Sequence, residues 1–291
     1  MHVVVTGGSG KIGAYVVRSL VAHGHTVVNA DNAPPKEPVP GATFVRTDTT
    51  DYGQVVSALT FRGKRAEAVI HLAAIANVYP QNAWPAPEVW RINALGVYHV
   101  AEACATVGVM KMAEASSINV HQFGLTGGKV APPRWPIDET MPYHTINAYG
   151  LSKVAGEGTM RMLHARTGAQ AISIRPAGVI APGEYPQRIA GMRERGSRFM
   201  TASYADTRDL ADAFRLAVEL DGLGCEAIYA VNDEAFSAVP VAPVLREQYA
   251  DAHTREMDIE GDAADVSNAK AKRLLGWQPQ HHWRDEEGSN K

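Results

Sequence analysis

Three observations predict a doubly wound α/β fold with a parallel sheet. Short β-branched runs alternate with longer helical patterns through the first 176 residues. A glycine-rich turn joins the first strand to the first helix, and Gly and Ala abound while aromatics make up only 7%. Strand and helix in alternation is the pattern of a sheet covered by helices on both faces. The elements read in order as strand 3–5, helix 11–23, strand 26–28, strand 43–45, helix 52–61 and strand 68–72. Helix 88–107, strand 111–116, helix 147–167 and strand 171–174 follow. After Pro176 the rhythm breaks, and Pro182, Gly183, Pro186, Gly191 and Gly196 predict irregular chain. Beyond it come helix 209–219, strand 227–231, helix 241–249 and helix 267–275, with Ser267 as N-cap and Gly276 as stop. The polar end from Arg284 is expected to fray. The organisation expected is a unit over 1–176 and a small substrate-facing annex over 177–291, packed closely on it.

Composition narrows the function classes. The chain has 291 residues, 45% hydrophobic and 20% charged, long enough for a full core. Its net charge of -3 gives no electrostatic reason to expect a nucleic acid or an anionic membrane as partner. The longest apolar runs fall well short of the ~20 residues a membrane span needs. The first apolar run leads straight into glycines, unlike a secretory signal. Cys104 and Cys225 stand far apart in apolar runs, as buried thiols in a reducing compartment do. A cytoplasmic protein is expected. His281-His282 lacks metal-ligand spacing, so no metal is expected.

The strongest local signal is Thr6-Gly7-Gly8-Ser9-Gly10-Lys11-Ile12-Gly13, directly after the first strand. Gly7 lets the chain turn off the strand, Gly10 lets a pyrophosphate approach the backbone, and Gly13 lets helix and sheet close together. The N–H groups of the helix start, around Lys11 and Ile12, offer partial positive charge to phosphates. Together these predict a Rossmann dinucleotide site. Asp31 ends the second strand, eighteen residues after Gly13. Its carboxylate suits a ribose diol and repels a 2′-phosphate, which favours NAD as cofactor. Asp48 has two open readings, a contact to adenine or a cap for the helix near Asp51. His71-Leu72-Ala73-Ala74 ends the fourth strand, where Leu72, Ala73 and Ala74 leave room for the nicotinamide half.

Tyr149 and Lys153 stand at i and i+4, on one face of a helix. An ammonium beside a phenol favours the phenolate, so Tyr149 is a candidate general base. Ser116-Ser117 closes an intervening strand. The glycine turn, Asp31, His71-Leu72-Ala73-Ala74, Ser116-Ser117 and the Tyr149/Lys153 pair come in the order seen in extended short-chain dehydrogenases/reductases. The chain resembles the NAD-dependent epimerase/dehydratase family over residues 2–176. The resemblance continues more loosely through Tyr204–Ala211 and through Leu274-Leu275-Gly276-Trp277-Gln278-Pro279.

That resemblance implies Ser117 as the hydroxyl that orients the substrate alcohol, Tyr149 as base and Lys153 as its activator and a ribose contact. It implies Ser116 as a second substrate contact and a carbohydrate as the small-molecule substrate. Asn93 matches a family asparagine on the long central helix but is read as a packing amide and not as a catalytic group. Helices 88–107 and 147–168 resemble those that pair across a homodimer. The chain departs from nucleotide-sugar members at Arg175-Pro176-Ala177-Gly178, where Gly178 replaces an asparagine that helps hold the diphosphate. That departure and the short tail favour a sugar or sugar acid oxidised outright, as in hexuronate dehydrogenases. Nucleotide-sugar epimerisation or dehydration with internal NAD recycling stands as the alternative. Arg175 is then a candidate for a substrate carboxylate, or a structural arginine, and Asn119 and His121 are candidates for sugar hydroxyls. A non-catalytic NAD sensor would require the Ser117/Tyr149/Lys153 set to be idle.

Overall fold

The structure, a computed structural model, describes residues 1–76, 84–195 and 201–288. Among these, seven strands form one parallel sheet: β1 (His2–Thr6), β2 (Thr26–Asp31), β3 (Ala42–Arg46), β4 (Ala68–His71), β5 (Lys111–Ala115), β6 (Gln170–Arg175) and β7 (Cys225–Tyr229). Their spatial order is β7-β6-β5-β4-β1-β2-β3. The direction of winding changes between β1 and β4, and ligands of such sheets bind outside the carboxyl ends of the strands at that switch. The glycine turn leaves β1 at this point, and the Leu72–Ala74 run leaves β4 beside it.

All five residues of β1 are buried, because both faces of the sheet are covered. Side chains alternate between the faces. Val3 and Val5 join a core with Leu20, Ile172 and Phe214, while Val4 joins the opposite core with Val28, Leu59, Met112 and Leu163. Helices α1 (Lys11–Ala22), α2 (Tyr52–Leu59), α3 (Ala86–Val107) and α4 (Ala148–Thr167) lie close to their expected spans. α3 and α4 pack side by side, and each ends on a left-handed glycine, Gly108 and Gly168.

The tail departs most from expectation. α5 (Tyr185–Arg195) is a helix where irregular chain was expected; Gly196 lies outside the described residues. Pro186 falls in its first turn, where a missing N–H costs little, and Tyr185, Ile189 and Met192 hold it in a separate apolar cluster. α6 (Thr207–Glu219) packs on α1, and β7 extends the sheet. A division at residue 176 therefore runs through the sheet, not between two bodies. α7 (Val241–Gln248), α8 (Ala269–Leu275) and α9 (Trp283–Gly288) complete the chain. Asn268, not Ser267, is the N-cap position of α8, and Gly276 ends the helix as expected. Instead of fraying from Arg284, the chain forms α9, anchored by buried Trp283, whose Nε1 donates to the Ala235 carbonyl at 2.9 Å. Among the described residues no helix is long and apolar enough to cross a membrane.

Candidate active site

The cofactor cradle is built by the absence of side chains. Gly7 takes a left-handed φ of 70°, and a Cβ on it would stand 2.4 Å from the Ala73 nitrogen. A Cβ on Gly13 would stand 2.1 Å from the Gly7 carbonyl. These contacts press turn, helix and the end of β4 together. Gly10 is the N-cap of α1 and supplies no side-chain cap, so the first-turn N–H groups around Lys11 and Ile12 stay available to an anion. Asp31 accepts from the Ser9 N–H at 3.0 Å and the Ala33 N–H at 3.1 Å, which fixes its carboxylate at the end of β2. Turn and carboxylate thus fit a dinucleotide with a free ribose diol. The Lys11 side chain turns away to Glu184, at 2.6 Å.

Asp48 spends one carboxylate oxygen on Thr50, whose N–H and hydroxyl both donate to it at 2.8 Å. The cap of α2 is Asp51, which accepts from the Gln54 N–H at 3.1 Å, so the capping alternative for Asp48 is corrected. The chain after β4 is held by Asn93 of α3. Its amide accepts from the Ile75 N–H at 2.8 Å and donates to the Ile75 carbonyl at 3.1 Å. Asn93 is thus more than helix packing, since it pins the segment that continues from Leu72, Ala73 and Ala74.

Tyr149 and Lys153 share the buried face of α4, with the Lys153 Nζ 5.6 Å from the Tyr149 ring centre. Lys153 donates to the Ala115 carbonyl at 2.7 Å, at the carboxyl end of β5. Asn147 caps α4 by accepting from the Gly150 N–H at 2.9 Å. Gly150 lets this first turn press onto the strand end, for a Cβ there would meet the Asn119 carbonyl at 2.5 Å. Ser117 sits across that contact. Its hydroxyl oxygen accepts from the Asn119 backbone N–H at 3.1 Å and side-chain amide at 3.0 Å. Ser117, Asn119, Tyr149 and Lys153 are therefore brought together at the carboxyl end of the sheet.

Three expected substrate contacts, Arg175, Ser116 and His121, bond within the chain, while Arg175 Nη1 and His121 Nε2 are buried with no hydrogen-bond partner. Arg175 is only 2% exposed and pairs with Glu157, its Nε and Nη2 each 2.8 Å from a carboxylate oxygen. The Tyr143 and Tyr229 rings lie against the guanidinium, at 5.8 and 5.2 Å. The carboxylate that pairs with Arg175 in the structure is thus Glu157 of this chain. Ser116 donates to the same Glu157 at 2.6 Å and is buried beneath the site. His121 is buried with its Nδ1 2.6 Å from the Tyr229 hydroxyl. Burial, with Arg175 adding to it, lowers the His121 imidazole to about 4, so it is neutral. A one-dimensional pattern shows that a serine or arginine ends a strand, not what lies behind it.

Sequence reasoning missed two groups. Glu157 lies one helical turn beyond Lys153 on the same buried face, a spacing that was legible. Glu114 interrupts the apolar strand β5 and is fully inside the sheet layer. Its Oε1 accepts from the Ser173 hydroxyl at 2.8 Å. His71, its register partner on β4, bonds Thr6 Oγ1 at 2.7 Å and is held neutral, at about 3, by burial and by the Lys153 charge. Among the described residues no cluster of three metal-ligating side chains occurs.

Comparison with known proteins agrees with this fold. Residues 3–222 match the NAD dependent epimerase/dehydratase family. The chain is 29% identical over 309 residues to a UDP-glucose 4-epimerase of Mycolicibacterium smegmatis, covering 96% of this chain and 94% of the relative. A crystal structure of a UDP-galactose 4-epimerase superposes with a TM-score of 0.71 at 27% identity, over 98% of this chain and 96% of that one. A mutated uronate dehydrogenase shares the fold, with a TM-score of 0.68 at 22% identity, over 100% of this chain and 87% of that one. The glycine turn, the parallel sheet and the matched residues lead to one conclusion: this chain is an enzyme of the NAD dependent epimerase/dehydratase family, in the extended short-chain dehydrogenase/reductase class.

Proposed function

We propose that the protein oxidises a hydroxyl of a sugar or sugar acid, with Tyr149 as general base. NAD, when bound, supplies the hydride acceptor. Tyr149 takes the hydroxyl proton as the C–H bond of the same carbon gives up its hydride. Lys153 stabilises the phenolate by its charge and reaches the nicotinamide ribose. Ser117, its hydroxyl steered by Asn119, orients the substrate alcohol. Gly7, Gly10, Lys11, Ile12 and Gly13 hold the pyrophosphate with backbone groups, Asp31 holds the adenosine ribose, and Leu72, Ala73 and Ala74 border the nicotinamide. The observation that carries this reading is the placing of Ser117, Tyr149 and Lys153 around the carboxyl end of β5.

Net oxidation, with NADH released, is favoured by Gly178. Its φ is 43°, and a Cβ there would stand 2.9 Å from the Ser203 carbonyl. The amide that holds a nucleotide diphosphate in the family therefore has no counterpart or room at this position. The second reading, epimerisation of a nucleotide sugar with NAD recycled internally, is favoured by relatives of nearly full length that are UDP-glucose 4-epimerases. Tail length does not separate the two, since the chain covers 94% of the Mycolicibacterium smegmatis relative. The test is absorbance at 340 nm with NAD and a panel of hexuronic acids, aldoses and aldonic acids. Steady NADH accumulation supports net oxidation. Its absence, with interconversion of UDP-glucose and UDP-galactose, establishes the second reading instead.

A homodimer through α3 and α4 belongs to the same proposal. Trp90 and Tyr98 on α3 and Leu151 on α4 are 38%, 43% and 48% exposed, an apolar face that pairing would cover. Light scattering on the eluting protein tests it, with one subunit's mass as the contrary result.

A further inference from the structure

A buried carboxyl in the middle of a parallel sheet needs a reason, because burial of a charge is costly unless it is paired. Glu114 lies on β5 between His71 of β4 and Ser173 of β6 in register. Its Oε2 faces Gly156 of α4, where a Cβ would stand 2.7 Å away. Gly156 thus opens the helix directly above the carboxyl. Lys153 lies three residues before Gly156, and its Nζ is bonded to the carbonyl of Ala115, the residue that follows Glu114. The ammonium and the carboxyl are therefore neighbours, one strand residue and one helical turn apart, that act on each other by charge without forming an ion pair. The other charged or titratable groups facing Glu114 are Glu157 and Arg161 of α4, neutral His71 of β4 and Cys225 of β7. Glu157 is already neutralised by Arg175.

We propose that Glu114 is a positioning residue for Lys153, the buried counter-charge that sets how strongly the ammonium acts on Tyr149. This rests on the reading of Tyr149 and Lys153 as base and activator. Burial pushes the Glu114 carboxyl up to about 7, with the Lys153 ammonium pulling against that rise. Below that pH Glu114 is neutral and leaves the full field of the ammonium to Tyr149. Above it the carboxylate offsets part of that field. The charge on Lys153 seen by the reacting phenol is thus graded by a residue that touches neither substrate nor cofactor.

The experiment is a pH titration of the NAD-saturated full chain labelled with 13C-carboxyl glutamate, the Glu114 signal being assigned by its loss in Glu114→Asp. In Lys153→Met the Glu114 midpoint should rise by about one pH unit, a tenfold change in its ionisation ratio at fixed pH. An unmoved midpoint overturns the proposal. A second measurement is phenolate absorbance, taken as the difference from Tyr149→Phe. In Glu114→Gln, which keeps the acceptor for Ser173, that signal should move to lower pH by about half a unit, roughly a threefold gain in phenolate. No movement, or movement upward, overturns the tuning. Absence of any Tyr149 phenolate step in the unmodified protein would instead sink the base assignment, and the Glu114 midpoint would still judge the charge coupling.

Discussion

Glu114 of β5 and Glu157 of α4 are both buried, and their carboxyls are driven in opposite directions. Burial raises both. For Glu114 it wins, against Lys153 and the Ser173 hydrogen bond, and the carboxyl is pushed up to about 7. For Glu157 the hydrogen bonds and charge of Arg175, with Ser116 and Tyr143, outweigh burial and hold it below the usual carboxylate range. The difference lies in partners: two guanidinium nitrogens at 2.8 Å for one, a hydroxyl for the other.

The two should therefore leave opposite marks on stability. Glu114 binds its proton more tightly folded than unfolded, so its contribution is full below the ordinary value of 4.5 and is lost as pH rises to about 7. Glu157 contributes above the ordinary range and loses that contribution as pH falls through its lowered folded value. Urea unfolding of Glu114→Gln should show a flatter decline between those two pH values than the unmodified protein. An unchanged slope would assign the decline to other groups.

Breaking the Glu157–Arg175 pair on one side leaves an uncompensated buried charge. Glu157→Gln should cost about 3–5 kcal/mol of stability. The melting temperature should fall with it, by roughly 2–4 °C per kcal/mol for a chain of this size. A loss below about 1 kcal/mol would mean that the guanidinium finds another partner.

Tyr149→Phe removes the proton acceptor and leaves the ring. Turnover should fall about 10²–10⁴-fold, the usual share of a general base. NAD binding, read by thermal shift, should stay within a few fold. Unchanged turnover would remove Tyr149 from the mechanism.

Gly13→Ala places a methyl 2.1 Å from the Gly7 carbonyl, so helix and turn must part. The thermal shift produced by NAD should vanish. A retained shift would show that the turn yields without losing the phosphates.

Asp31→Ala takes away a charge-assisted acceptor for the ribose, an interaction of about 1.5–3 kcal/mol. NAD affinity should drop about tenfold or more while NADP affinity rises. Equal loss for both dinucleotides would make Asp31 only the anchor of Ser9 and Ala33.

The chain by itself determined the alternating elements, the glycine turn, Asp31 and the Tyr149/Lys153 spacing. Each is local, because strand and helix periods, left-handed turns and an i, i+4 pair are set by neighbours within a few residues. Trp283 and α5 escaped notice because their stability comes from a distant apolar cluster with Tyr204, not from propensity. The destinations of Ser116, His121 and Arg175 were decided only in three dimensions, by Glu157 of α4 and Tyr229 of β7. A polar side chain at a strand end points equally well at a ligand or at a partner across the layer. What settles the matter is which groups, remote in the chain, must satisfy one another once water is excluded.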